Sequence, residues 1–330
     1  MKIMVYDLME YEKPVLKKLE QEFGIEFCCS TENFLPENMI LATGCDAVSI
    51  MGYSRVSAPM LKTLKEMGIV HLSTRTVGLD NIDIKAAEKM GIHVSNARYM
   101  PANVADFTVM LMLMLLRKVK ISVCRSLVND FSLDGLKGRE MRSLTIGIIG
   151  TGKIGFTVIQ NLSGFGCKII AFDKYKNKAV EEYATYVELD ELYAQSDIIS
   201  LHMPLTDDNY HMINKDTIAK MKDGVVLVNT ARGGLIDSEA LIHALEKEKI
   251  SGAGIDTIEE EDGVMHVDIG AQILDKRSLL YLKQFPNVVF TQHYAFFTEE
   301  ATESMVRCGI LSLKYGLEGT ENAYEVTRLK

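Results

Sequence analysis

The chain lacks a long apolar run, paired cysteine motifs and clustered positive charge, and each absence closes off a class of function. Its most apolar stretch, Val109–Leu116, falls far short of the ~20 residues that cross a bilayer, so no membrane partner is expected. Six cysteines, at Cys28, Cys29, Cys45, Cys124, Cys167 and Cys308, are scattered without a C-x-x-C. They support neither a disulfide framework nor a zinc site, and no metal is expected; a reduced, cytoplasmic protein fits best. Behind Met1–Tyr6 there is no apolar core or cleavage site of signal-peptide type. No lysine/arginine run appears, and a net charge of −9 argues against nucleic acid and anionic membranes as partners. Solenoid-period repeats and low-complexity segments are missing as well.

What is present is an alternation of strand and helix signals over 330 residues, 47% of them apolar. That length suggests two domains with sizeable cores. In the first hundred residues, strands are predicted at Lys2–Tyr6, Ile25–Cys29, Ala47–Ile50, Val70–Ser73 and His93–Ser95. Helices fall at Tyr11–Phe23, Pro36–Thr43, Ala58–Met67 and Ile84–Met90. This parallel α/β unit carries no phosphate-binding glycines, which makes it a substrate-side domain. A long helix then opens at Tyr99–Pro101 and runs to about Val119; its middle is apolar on every face and predicts burial all round, between domains or between subunits. From Leu144 the alternation resumes, with strands predicted at Leu144–Ile149, Lys168–Phe172, Ile198–Ser200, Val225–Asn229, Gly252–Ile255 and Val288–Thr291, and a last helix, Glu299–Leu317, returns to the first domain.

The second half is organised around Leu144–Gly155. A short apolar strand leads into a turn, Gly150-Thr151-Gly152-Lys153-Ile154-Gly155, which opens a helix. This is G-x-G-x-x-G in the strand–turn–helix context that gives it meaning. Gly150 allows the tight turn, Gly152 lets a pyrophosphate approach the backbone, and Gly155 brings helix and strand together. The first-turn amides attract phosphate. The next strand, Lys168–Phe172, ends in Asp173, placed to accept the adenosine ribose hydroxyls and to repel a 2′-phosphate; the expected cofactor is NAD.

Ligands of open α/β sheets bind beyond the carboxyl ends of the strands. Strand Val225–Asn229 is followed by Arg232, strand Gly252–Ile255 by Asp256 and the acids Glu259, Glu260 and Glu261, and strand Val288–Thr291 by His293. An arginine, an acid cluster and a histidine at one sheet edge suit hydride transfer to a 2-keto acid. Arginine holds the carboxylate bidentately, histidine supplies the proton, and a carboxylate keeps that histidine charged and oriented. The hydride belongs to the cofactor.

These residues, with STRTVGLDNID (Ser73–Asp83), LHMPLT (Leu201–Thr206), MKDGVVLVNTARGGLID (Met221–Asp237), GAGIDTIEEE (Gly252–Glu261) and TQHYAFFTEEA (Thr291–Ala301), resemble the D-specific 2-hydroxyacid dehydrogenases along essentially the whole chain. The likeness is strongest to the D-lactate, D-2-hydroxyisocaproate and (R)-2-hydroxyglutarate branches and to the vancomycin-resistance D-lactate dehydrogenase. The resemblance implies that Arg232, Glu261 and His293 are catalytic, with Glu261 selected from the acid cluster. It implies that the backbone at Val77 and Gly78 binds the substrate carboxylate, and that Tyr99, Phe296 and Tyr53 line the substrate pocket. It places Asp256 near the nicotinamide, and His202, Pro204, Thr230 and Ala231 beside the cofactor. The implied fold is two Rossmann-like parallel α/β domains, an NAD-binding domain (100–297) inserted into a split flavodoxin-like substrate domain (1–99 and 298–330). The implied assembly is a homodimer built around the long apolar helix.

Three positions depart from the family pattern. Gln292 stands where proline usually precedes the histidine, Tyr294 replaces a small threonine, and Met51 occupies the arginine position of the hydroxyglutarate enzymes. The expected activity is NADH-dependent reduction of a 2-keto acid, pyruvate to D-lactate first. Larger apolar or aromatic keto acids come next, and 2-oxoglutarate is less favoured. A non-catalytic NAD-sensing protein and the formate and phosphoglycerate dehydrogenases fit less well, since the Arg232/Glu261/His293 set is complete and formate enzymes carry glutamine where Glu261 stands.

Overall fold

The computed structural model describes residues 1–329. The chain divides into two compact units, Met1–Met100 together with the chain from Phe297 onward, and Pro101–Phe296.

The first unit contains β1 (Lys2–Val5), α1 (Lys13–Phe23), β2 (Glu26–Cys29), β3 (Ala47–Ile50), α2 (Ala58–Glu66), β4 (His71–Thr74), α3 (Ile84–Met90) and β5 (His93–Asn96). Its sheet is wholly parallel in the order β2-β1-β3-β4-β5, the flavodoxin-like winding. The expected helix at Pro36–Thr43 is a 3-10 helix, Pro36–Ala42. Local chemistry sets the ends: Asp83 accepts from the Ala86 amide (2.9 Å) to start α3, and Gly24 and Gly91 close α1 and α3 in the left-handed region. The terminal helix Glu299–Leu317 packs Val306, Ile310 and Leu313 with Ile3, Val5 and Leu19 in one core.

The second unit opens with α4 (Ala102–Leu116) and α5 (Val119–Ser126). The single helix expected to Val119 is therefore two. Lys118 turns into the left-handed region (φ +51°) and donates to the Gly135 carbonyl, while Lys120 donates to the carbonyls of Lys283, Phe285 and Val288. These bonds tie the chain down on either side of the turn. Within one chain the burial is not complete, since Met110 is 37% exposed. Then follow β6 (Thr145–Ile149), α6 (Lys153–Ser163), β7 (Lys168–Phe172), β8 (Thr185–Tyr186), α7 (Leu189–Gln195), β9 (Ile198–Leu201), α8 (Lys215–Lys220), β10 (Val225–Asn229), α9 (Ser238–Glu246), β11 (Ile250–Ile255), α10 (Arg277–Leu282) and β12 (Val288–Phe290). The last helix of the chain, α11, is Glu299–Leu317 of the first unit.

All seven strands of the second sheet are parallel, in the order β12-β11-β10-β9-β6-β7-β8. Every residue of β9 and β10 is buried, as a sheet covered on both faces requires. The winding reverses between β6 and β9, which is where such sheets hold a ligand. Among the described residues no helix is long and apolar enough to cross a membrane.

Candidate active site

The glycine turn sits at that switch point, and each glycine there has a distinct physical reason. Gly150 has φ +95°, and a Cβ on it would lie 2.5 Å from the His202 carbonyl oxygen. A Cβ on Gly155 would lie 2.0 Å from the Gly150 carbonyl oxygen, so α6 sits as close to β6 as backbone permits. A Cβ on Gly152 would meet nothing within 4 Å. That open space at the mouth of α6 is a cradle that a phosphate can fill, ringed by the first-turn amides that follow Gly152 and Lys153. Asp173 leaves β7 and ties the turn down: it accepts from the Thr151 amide (2.6 Å) and hydroxyl (3.1 Å) on one oxygen and from the Tyr175 amide (2.8 Å) on the other. The residues present thus fit a dinucleotide.

Beside the turn, His202 shares a 2.8 Å hydrogen bond with the Ser200 hydroxyl. Burial pushes its imidazole down to about 3, so it stays neutral at ordinary pH. Pro204 is exposed and its carbonyl accepts from Asn209. Thr230 is buried, its hydroxyl bonded to that of Thr108 (2.9 Å).

The three strand ends converge through buried polar groups that sequence reasoning did not single out. Asn229, wholly buried at the end of β10, donates to the Arg232 and Thr257 carbonyls and accepts from the Ala231 amide. The Arg232 guanidinium donates to the Ala231 carbonyl (2.7 Å). The Gly233 Cα is so close to the next loop that a Cβ would lie 2.1 Å from the Ile258 carbonyl carbon.

The acids beyond β11 do separate work. Asp256 is 1% exposed and accepts from the Thr291 hydroxyl (2.6 Å) and from the Tyr294 and Ala295 amides (3.1 Å each). Glu259 is engaged at the start of α9 and at the loop before α8. It pairs with His211 and accepts from the Ser238 amide, and those partners hold its carboxyl below its ordinary value against the opposing effect of burial. Glu260 lies 4.0 Å from Lys276. Glu261 accepts from the Nδ1–H of His293 at 2.6 Å and from the Ile258 amide at 3.2 Å. A carboxylate can only accept, so Nδ1 carries the proton and Nε2 is the nitrogen left for a reacting group. His293 itself is left-handed (φ +53°), a conformation that costs a side-chain-bearing residue about 1–3 kcal/mol and persists only where surroundings enforce it. Tyr294 turns its ring edge-on to Phe107 of α4 (4.9 Å).

Phe296, also in the second unit, accepts from Asn103 through its carbonyl and meets His266 edge-on at 6.1 Å. The remaining substrate candidates belong to the first unit. Val77 and Gly78 follow β4; their carbonyls accept from Asn96 (2.8 Å) and Thr76 (2.9 Å). Because the peptide is planar and trans, fixing those carbonyls also fixes the amides of Gly78 and Leu79. Just before them lies Arg75, fully buried, paired with Glu12 (2.6 Å) and bonded to the Tyr6 carbonyl and Ser49 hydroxyl. Burial, reinforced by the Asp7 and Glu12 charges, pushes the Tyr53 phenol up to about 12. Tyr99 is half-buried.

Residues 109–295 match the NAD-binding domain of the D-isomer specific 2-hydroxyacid dehydrogenases. An aromatic 2-oxoacid reductase of Clostridium sporogenes is 46% identical over 323 residues, covering 97% of this chain and 98% of that one. A D-lactate dehydrogenase structure from Treponema pallidum superimposes with a TM-score of 0.89 at 34% identity, covering 99% and 100% of the two chains. The NAD-complexed D-isomer specific 2-hydroxyacid dehydrogenase of Lactobacillus delbrueckii ssp. bulgaricus does so with a TM-score of 0.86 at 30% identity, covering 99% and 100%. With a dinucleotide cradle at the switch point of a parallel sheet and relatives matched end to end, the chain belongs to the D-isomer-specific 2-hydroxyacid dehydrogenases and is an NAD-dependent reductase of 2-keto acids.

Proposed function

We propose that the preferred substrate is a bulky apolar or aromatic 2-keto acid, reduced to the D-2-hydroxy acid by Arg232, Glu261 and His293. The observation that carries the substrate class is the 46% identity, over nearly all of both chains, to an aromatic 2-oxoacid reductase. Pyruvate, placed first by the sequence, is the second reading; relatives and neighbours named D-lactate dehydrogenase favour it.

In this mechanism Arg232 takes the substrate carboxylate as a two-point clamp and polarises the ketone. NADH, held by Gly150–Gly155, Asp173, His202, Pro204, Thr230, Ala231 and Asp256, supplies hydride when bound. His293 delivers the Nε2 proton to the developing alkoxide, and Glu261, on Nδ1–H, stabilises the imidazolium that precedes that step. Val77, Gly78, Tyr53 and Tyr99 of the first unit, and Phe296, are the proposed substrate contacts, which makes the first unit the substrate domain.

A homodimer in the cytoplasm completes the reading. Its support is the partly uncovered apolar face of α4, around Met110, the exposed Leu127, Val128, Phe131 and Leu133 after α5, and six free cysteines. Light scattering of the purified protein tests the pairing.

The function is tested by loss of NADH absorbance against phenylpyruvate, 2-ketoisocaproate, pyruvate and 2-oxoglutarate, with the handedness of the product assigned. A kcat/KM at least about tenfold higher for phenylpyruvate than for pyruvate is expected, within the range that pocket size provides. The reverse order makes pyruvate the substrate. Full turnover by His293→Ala would sink the proton-transfer assignment.

A further inference from the structure

The peptide that follows His293 is clamped from both sides. Its N–H, on Tyr294, donates to Asp256 at 3.1 Å. Its C=O, on His293, lies 3.0 Å from Nε2 of His266. A carbonyl only accepts, so His266 Nε2 carries the proton and donates. In a planar trans peptide these two groups point in opposite directions, and two partners thus fix one plane. That plane holds the C-terminal side of the left-handed His293 (φ +53°), whose imidazole meets Glu261. His266 is itself left-handed (φ +61°), and its ring lies 6.1 Å from Phe296 and 6.3 Å from His293. Unlike Asp256 it is exposed, so its contacts to the catalytic loop are not a by-product of core packing.

We infer that His266 is a positioning residue for the reduction: its Nε2–H holds the His293 backbone in the conformation that presents the proton-donating imidazole. This rests on His293 being the acid. Without the donor, the His293 plane relaxes toward ordinary backbone angles and the imidazole leaves its alignment for part of the time. The loss falls on proton transfer rather than on substrate binding. It therefore appears in kcat and leaves KM nearly unchanged.

The test compares three variants of the full chain. His266→Phe keeps a ring beside Phe296 but cannot donate, His266→Leu keeps neither, and His266→Gln restores an N–H of similar reach. Both donor-less variants should lose about 3–10-fold in kcat, what one hydrogen bond supplies, with KM for keto acid and NADH within about twofold. Gln should recover most of kcat. Wild-type kcat in the Phe and Leu variants overturns the inference. So does a Gln variant as slow as Phe, or a loss that appears in KM and melting temperature instead. His293→Ala, assayed alongside, separates the two failures. If it keeps turnover, the acid assignment fails; if it abolishes turnover while His266→Phe is unaffected, only the role of His266 fails.

Discussion

The glycine turn permits a prediction in which stability and cofactor binding part company. At Gly155 a methyl group would lie 2.0 Å from the Gly150 carbonyl oxygen and 3.2 Å from the His202 Cβ. The first neighbour is backbone and cannot swing aside, so α6 must move off β6. Overpacking of this kind costs about 1–3 kcal/mol, more where backbone is displaced. For a domain of this size that is a melting-temperature loss of roughly 2–12 °C. At Gly152 a methyl meets nothing within 4 Å, and the backbone there (φ −63°, ψ −168°) suits any residue. Loss of glycine at a helix N-cap costs several tenths of a kcal/mol, and the stiffer unfolded chain offsets a similar amount. Gly152→Ala should therefore melt within about 2 °C of wild type. Its methyl nevertheless occupies the space that a pyrophosphate needs, and NADH affinity should fall at least about tenfold, the ~1.4 kcal/mol expected when close backbone contacts to phosphate are lost. Scanning fluorimetry reads the first quantity and NADH fluorescence titration the second. A Gly152→Ala protein that binds NADH as wild type does would remove the cradle from the cofactor site. A Gly155→Ala protein of wild-type stability would show that the helix–strand contact is softer than the distances imply.

Three more outcomes can be checked. Asp173→Ser removes the charge expected to repel a 2′-phosphate and should raise the NADPH-to-NADH ratio of kcat/KM by about tenfold; an unchanged ratio would mean that selectivity lies elsewhere. Glu12→Ala leaves the fully buried Arg75 guanidinium without its carboxylate and should cost about 3–5 kcal/mol in urea unfolding, whereas less than 1 kcal/mol would mean that water reaches the charge. His202 titrates at about 3 folded against an ordinary 6.5. Between those values the unfolded chain binds a proton that the folded unit refuses, so stability falls as pH drops from 6.5 toward 3 and is untouched above. The wild-type melting temperature should thus fall more steeply than that of His202→Gln between pH 6 and 4, and parallel curves would show His202 to be hydrated.

What could be read along the chain, and what could not, divides by the range of the interaction. Six of the seven strands of the second sheet announce themselves as short apolar runs followed closely by Gly, Asp, Arg or His, because burial on both faces is a local demand on composition. All six were placed that way. The two-residue β8 was missed, being too short to show a pattern. The break at Lys118 was invisible because its cause lies elsewhere: the carbonyls that Lys118 and Lys120 reach belong to Gly135, Lys283, Phe285 and Val288. Arg75 read as part of a motif, with nothing to say that its partner would be Glu12, 63 residues away.

The acid cluster shows the same limit most sharply. Glu259, Glu260 and Glu261 are chemically identical neighbours, and composition alone cannot rank them. The fold sorts them by where the chain points after β11: Glu259 to His211 and the start of α9, Glu260 toward Lys276, Glu261 to His293. Glu260 turns left-handed (φ +55°) between the other two, and that one backbone reversal lets Glu259 and Glu261 serve opposite sides of the loop. Glu259 then anchors the segment on which Glu261 rides, and the Gly233 backbone, packed against Ile258 and Glu259, ties Arg232 to the same anchor. The candidate catalytic groups therefore share one support, and a change at Glu259 should be felt at both Arg232 and Glu261 through the backbone they share.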